Sequence, residues 1–175
     1  MKKRDIWISI AIIAASVLFL FLFLQRKGRI EIDAGVADAT LRVRGSWFSG
    51  EKLIKSQDWP VTMPARLYRP KRLNLSTKRN GDTWLLYSAG PWGMLSTIRV
   101  KGNETTALKL GPPFQMKANV HQNGPHVLIN YNLVGKAGEH YSGAVTRNNK
   151  RVAAPKVKII DEAGNILASG TFKYG

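Results

Sequence analysis

The chain has 175 residues, no cysteine, and 27 Lys plus Arg against 11 Asp plus Glu, a formal net charge of +16 at neutral pH. That length holds one substantial core or two small β modules packed together, and is short for a multidomain enzyme. The lack of cysteine excludes disulfides, thiolate zinc sites, iron–sulfur clusters and cysteine nucleophiles.

Lys2, Lys3, Arg4 and Asp5 account for only two of the sixteen net charges, so the basic character belongs to the rest of the chain. A field of that sign attracts polyanions: nucleic acid, anionic lipid headgroups, acidic glycans or an acidic protein.

Residues 6–24 are a run of apolar residues broken only by Ser9 and Ser16, without a charge. As a helix rising 1.5 Å per residue the run would span about 28 Å, close to the hydrocarbon thickness of a bilayer. Trp7 stands where a membrane helix places an interfacial indole. A cleaved signal peptide would share the basic start, but Gln25-Arg26-Lys27 follows in place of a small-x-small cleavage pattern. The expectation is an uncleaved signal-anchor over residues 1–27, with the lipid bilayer as a partner through residues 6–24. The localisation that follows is a single-pass protein of the bacterial inner membrane, its C-terminal domain extracytoplasmic. Basic residues flank the run on both sides, so the charge asymmetry that sets sidedness is slight.

Beyond residue 28 the pattern is β. Leu41 and Val43, Thr83 to Ser88, Ile98 to Lys101 and Ala107 to Leu110 are short strand candidates, with turns at Asn80-Gly81 and Lys101-Gly102-Asn103. Phe114, Met116, Ala118 and Val120 alternate with polar residues, which predicts a half-buried strand. Gln122-Asn123-Gly124-Pro125 then turns the chain into a partner strand through Val127, Ile129, Tyr131 and Leu133. Val157 and Ile159, a turn at Asp161 to Gly164, and Ile166, Ala168 and Gly170 repeat the hairpin logic. Gly111-Pro112-Pro113 is the best internal boundary, because proline belongs at strand starts and connections. The expected fold class is all-β, an immunoglobulin-like or related β-sandwich after one transmembrane helix. Its soluble part divides into a β-rich module over 28–111 and a second over 112–175, packed together.

The second half carries Leu110-Gly111-Pro112-Pro113, Leu133-Val134-Gly135, Gly138-Glu139-x-Tyr141, Ala154-Pro155-Lys156, Asp161-Glu162-x-Gly164 and the closing Ala168-Ser169-Gly170-x-Phe172-x-Tyr174-Gly175. With these residues, 110–175 resembles an immunoglobulin-like sandwich module found at the C-terminal ends of exported or membrane-attached bacterial proteins of poorly defined function. The resemblance implies a fold and a location, and is silent on activity.

Arg66, Arg69, Lys71, Arg72, Lys78 and Arg79 form a basic cluster with no acidic residue between its ends. Such a cluster binds phosphates or glycan carboxylates through charge and bidentate guanidinium contacts, or else is a solvated loop. Tyr68 beside it, and Trp92 in the Gly90-Pro91-Trp92-Gly93 turn, are the candidate exposed aromatics for stacking. Trp47, Trp59 and Trp84 are read with the core. His121 and His126 face one another across a turn but lack the further ligands of a closed metal site. Glu139 and Tyr141 are read as turn hydrogen bonding and packing. No nucleophile elbow, zincin motif, P-loop or paired-carboxylate pattern is present, so no catalytic residue, metal or cofactor is assigned, and the chain is not expected to be an enzyme.

The functional expectation is a membrane-tethered extracytoplasmic binding or scaffolding protein. Its basic surface would meet an envelope protein or an anionic polymer. The alternatives are an accessory module or small hydrolase of the envelope, and an inner-leaflet binder of anionic lipid or nucleic acid. Nucleic acid is the weaker partner, since no recognised nucleic-acid-binding module occurs.

Overall fold

The computed structural model describes residues 12–16, 26–45, 50–58, 60–143 and 145–173. Most of the apolar run 6–24 lies outside these; its residues 12–16 are helical. No helix among the described residues is long and apolar enough to cross a membrane. This corrects the expectation of a transmembrane helix, and with it the single-pass, inner-membrane localisation.

Eight strands in the first half build the core. They are β1 (Lys27–Asp33), β2 (Asp38–Gly45), β3 (Glu51–Lys55), β4 (Val61–Pro64), β5 (Leu67–Arg79), β6 (Asp82–Ser88), β7 (Ile98–Arg99) and β8 (Thr105–Lys109). β1 lies between antiparallel β4 and parallel β8 in a small sheet. β3, β2, β5 and β6 run side by side in a larger antiparallel sheet, with β7 also paired to β5. The two sheets make a β-sandwich, and alternation in β1 and β2 shows how their inner faces fill it. Ile30 and Ile32 of β1 are buried between exposed or half-buried Arg29, Glu31 and Asp33, and Ala39, Leu41 and Val43 of β2 are buried between Thr40, Arg42 and Arg44. Ile30, Leu41, Ile54, Met63, Leu73 and Leu110 are fully buried at the centre, each contributing about 1.5–3 kcal/mol of burial free energy.

β5 has 13 residues and is not among the strand candidates, its charges reading in sequence as an anion-binding cluster or a solvated loop. Tyr68, Pro70, Leu73 and Leu75 face the core, and the step between Pro70 and Leu73 is a bulge where Lys71 is extra. A proline inside a central strand ordinarily leaves a ladder unpaired. Here Pro70 falls between the Tyr68↔Ile98 pair with β7 and the Leu73↔Ser88 pair with β6, so on that side no residue stands opposite it, while on the other side it faces Val43 of β2 beside the bulge. The β5–β6 hairpin closes through Asn80 and Gly81 at φ 52° and 81°, the two left-handed residues of a type I′ turn.

The second half contributes β9 (Gln115–Asn123), β10 (His126–Val134), β11 (His140–Tyr141), β12 (Thr146–Arg147), β13 (Lys150–Arg151), β14 (Lys156–Ile160) and β15 (Ile166–Thr171). β12 extends the large sheet by pairing with β6, and β13 pairs with β12. β9, β10 and β11 form a separate sheet, and β14 with β15 a two-stranded one. Both expected hairpins are present. Their burial is not: Met116, Val120, Val127, Ile160, Ile166 and Leu167 are all more than half exposed. Alternation in β9 thus creates an apolar face that no described residue covers. Tyr131 and Phe172, with ring centroids 4.6 Å apart, join the two hairpins.

Candidate functional site

The basic cluster divides along β5. Arg69 and Arg72 point outward from the large sheet, with Lys71 exposed in the bulge between them. Arg66 is half-buried in the turn before the strand, where its carbonyl accepts the Val100 N–H at 3.0 Å. Lys78 sits about 20 Å further along, at about 3.3 Å per residue, opposite Thr83. Arg79, one residue on, belongs to the inner face.

The strand pairing adds two arginines that the local sequence cluster omits. Arg42 of β2 stands directly opposite Arg72, and Arg44 opposite Arg69. Adjacent strands are about 4.8 Å apart and alternate residues about 6.7 Å, so four guanidinium-bearing positions share one small patch. Among the described residues a single acid sits with them: Glu51 of β3 lies 3.5 Å from Arg42 and 3.7 Å from Arg44. Arg72 rests over the Tyr87 ring, 5.3 Å from its centroid, which orients its fork without neutralising it. Like charges directly opposite on paired strands are unfavourable. Two such pairs in one patch, with one carboxylate between them, make a face ready for an anionic ligand. The alternation Leu41-Arg42-Val43-Arg44 was the sequence signal that places Arg42 and Arg44 outward.

The expected exposed aromatics are corrected. Tyr68 is only 3% exposed, because strand alternation turns it inward, and its hydroxyl donates to the Pro64 carbonyl at 3.0 Å. Trp92 is half-buried and packs against the core cluster. Trp84 is half-buried, with the Arg147 guanidinium 5.7 Å from its ring centroid. Trp47 and Trp59 lie outside the described residues. His121 pairs in register with Leu128 and His126 with Asn123, so the two imidazoles are not directly opposite. Among the described residues no group of three or more His, Cys, Asp or Glu side chains could hold a metal ion.

A second polar constellation is buried. Glu139 is 0% exposed. Its Oε1 accepts from the Gly111 N–H at 2.7 Å and from the Tyr141 hydroxyl at 2.7 Å, and its Oε2 accepts from the Ala137 N–H at 2.9 Å. Gly135 must lack a side chain here, since a Cβ would stand 2.1 Å from Glu139 Oε1. Around this carboxylate the Lys136 N–H donates to the Gly111 carbonyl, the Met94 N–H to the Ala137 carbonyl and the His140 N–H to the Pro91 carbonyl, each at 2.8 Å. The loop 135–141 therefore stitches β10 to the turn at 90–95 and to the Gly111 link, and its Ala137 and Tyr141 join the main core. A carboxylate with no solvent exposure and three donors in place does structural work, as the sequence expectation had it.

Burial and the Glu139 bond drive the Tyr141 hydroxyl far above its ordinary pKa of 10.0. Burial also raises that of Tyr68, against the opposing pull of Arg66. The folded protein thus keeps protons that the unfolded chain releases near pH 10. Stability from these tyrosines is complete below about pH 10 and is lost as pH rises, for Tyr141 at about 1.4 kcal/mol per pH unit. Urea midpoints taken from pH 8 to 11 should fall above pH 10, and Tyr141→Phe should make that fall shallower.

No family model matches the chain, and no curated protein or solved structure matches it either, so the functional reading rests on the arginine face itself.

Proposed function

We propose that this protein is a binding module for an anionic polymer, which it holds on the outer face of its large sheet through Arg42, Arg44, Arg69 and Arg72. The observation that supports this is the facing of Arg42 with Arg72 and of Arg44 with Arg69, with Glu51 the one acid within reach among the described residues. Guanidinium forks bind phosphate, sulfate and carboxylate groups bidentately. The two cross-strand pairs present them together on one face of the sheet, within reach of successive groups of an extended chain. The net charge of +16 adds long-range attraction for a polyanion.

The finer reading of residues 110–175 as an immunoglobulin-like module belongs to the same proposal. It is supported by two antiparallel hairpins bridged by Tyr131 and Phe172, and by the motifs that carry the family resemblance. On this reading the second half is an appended module.

Immobilised heparin and immobilised polyphosphate provide the test, with the eluting salt concentration as readout. Arg42→Gln, Arg44→Gln, Arg69→Gln and Arg72→Gln combined should elute at far lower salt than the wild type. A charge-matched control carrying Lys117→Gln, Lys150→Gln, Lys156→Gln and Lys158→Gln should elute close to the wild type. Equal shifts in the two quadruple variants would show retention by net charge alone and defeat the proposal.

A further inference from the structure

The 13 residues of β5 outrun the small sheet that covers the inner face of the large one. At the far end, Leu75, Thr77 and Arg79 of β5 stand in register with Leu86, Trp84 and Asp82 of β6. They continue the core-facing side of the sheet past the core. The result is a groove of about 390 Å³, lined also by Val36, Ala37, Pro112 and Phe114. That volume falls within the roughly 300–1,000 Å³ of small-molecule sites, which are mostly apolar with a few placed polar groups.

The polar part of this lining is asymmetric. Ser76, Thr77 and Arg79 supply it. Asp82, the cross-strand neighbour of Arg79, is held instead by Arg147 and by the Asn148 amide at 2.6 Å. Both engagements lower the Asp82 pKa below the usual carboxylate value, and they leave Arg79 with no acidic partner among the described residues. An apolar groove with one unneutralised guanidinium on its lining complements a molecule of matching polarity.

We propose that this groove binds a small amphipathic carboxylate, its apolar body against Trp84, Leu86 and Phe114 and its carboxylate paired with Arg79. The apolar body is removed from water by the aromatic and aliphatic walls. The guanidinium fork supplies two parallel hydrogen bonds to the two carboxylate oxygens. The site is independent of the outer arginine face, from which it is separated by the thickness of the sheet.

The test uses the full-length chain, nitrogen-15 labelled, with sodium decanoate as probe and decan-1-ol as its uncharged counterpart, both below self-association. The indole N–H resonance of Trp84, assigned by its loss in Trp84→Phe, gives a local readout. Decanoate should shift that resonance along a saturable curve. Arg79→Gln should weaken decanoate on the order of tenfold and leave decan-1-ol unchanged. Val36 is 90% exposed on the groove wall, so Val36→Asp should leave the fold intact while adding a repelling charge, and should also weaken decanoate selectively. Lys158→Gln, on the remote β14, should change nothing. A Trp84 resonance that decanoate never moves, equal decanoate affinity in Arg79→Gln and wild type, or decan-1-ol binding as tightly as decanoate would each overturn the assignment.

Discussion

Replacing Glu139 by alanine is expected to remove about 3–5 kcal/mol of stability, a large share of the roughly 5–15 kcal/mol that holds a typical domain together. The substitution leaves the Gly111 N–H, the Ala137 N–H and the Tyr141 hydroxyl without their acceptor, and each buried donor so abandoned costs about 1–3 kcal/mol. The site is fully enclosed, so water does not readily replace the lost carboxylate. Glu139→Gln keeps one oxygen but turns the other into a donor facing a donor, and should cost about 2 kcal/mol. Tyr141→Phe removes one donor and should cost about 1–2 kcal/mol. Urea denaturation should therefore rank the midpoints wild type, Tyr141→Phe, Glu139→Gln, Glu139→Ala in descending order, with similar slopes. A Glu139→Ala stability within about 0.5 kcal/mol of the wild type, the range of an ordinary surface substitution, would mean that the loop 135–141 is held by its backbone bonds alone.

Strand existence was readable wherever alternation ran unbroken. β2, β9, β10, β14 and β15 appear close to their expected places because Leu41 with Val43, Val157 with Ile159, and Ile166 with Ala168 keep a period of two. β5 was missed for two physical reasons. Its bulge at Lys71 shifts the alternation by one, and its density of Arg and Lys imitates a solvated loop. Pairing across distant sequence was equally hidden: nothing local shows that Arg42 meets Arg72, or that Glu139 reaches back 28 positions to Gly111. Burial failed in the opposite direction. The alternation of Met116, Ala118 and Val120 announced an apolar face but not whether another layer covers it, and among the described residues none does. The candidate site was therefore half legible. Arg69 and Arg72 came from the cluster, Arg42 and Arg44 from pairing, while Arg66, Lys78 and Arg79 separate from them in space.

Reversing one charge of the arginine face should move stability and binding in opposite directions. Arg69 has no acidic partner among the described residues and stands directly opposite Arg44. Arg69→Glu converts a repulsive cross-strand pair into an attractive one, worth roughly 0.5–1 kcal/mol of added stability at low salt. The same change removes one guanidinium contact and sets a carboxylate against the polymer, so affinity for polyphosphate should fall about 10- to 100-fold in low salt. Both effects are electrostatic at an exposed surface and should shrink together as salt shortens the Debye length to about 3 Å near 1 M. Thermal unfolding and polyphosphate titration at two salt concentrations would measure this pair of shifts. A residue kept for the sheet would behave differently, losing stability on replacement. A rise in stability accompanied by lost binding is the signature of a charge retained for a ligand, and a variant that binds less because it folds less stably would assign Arg69 to the scaffold instead.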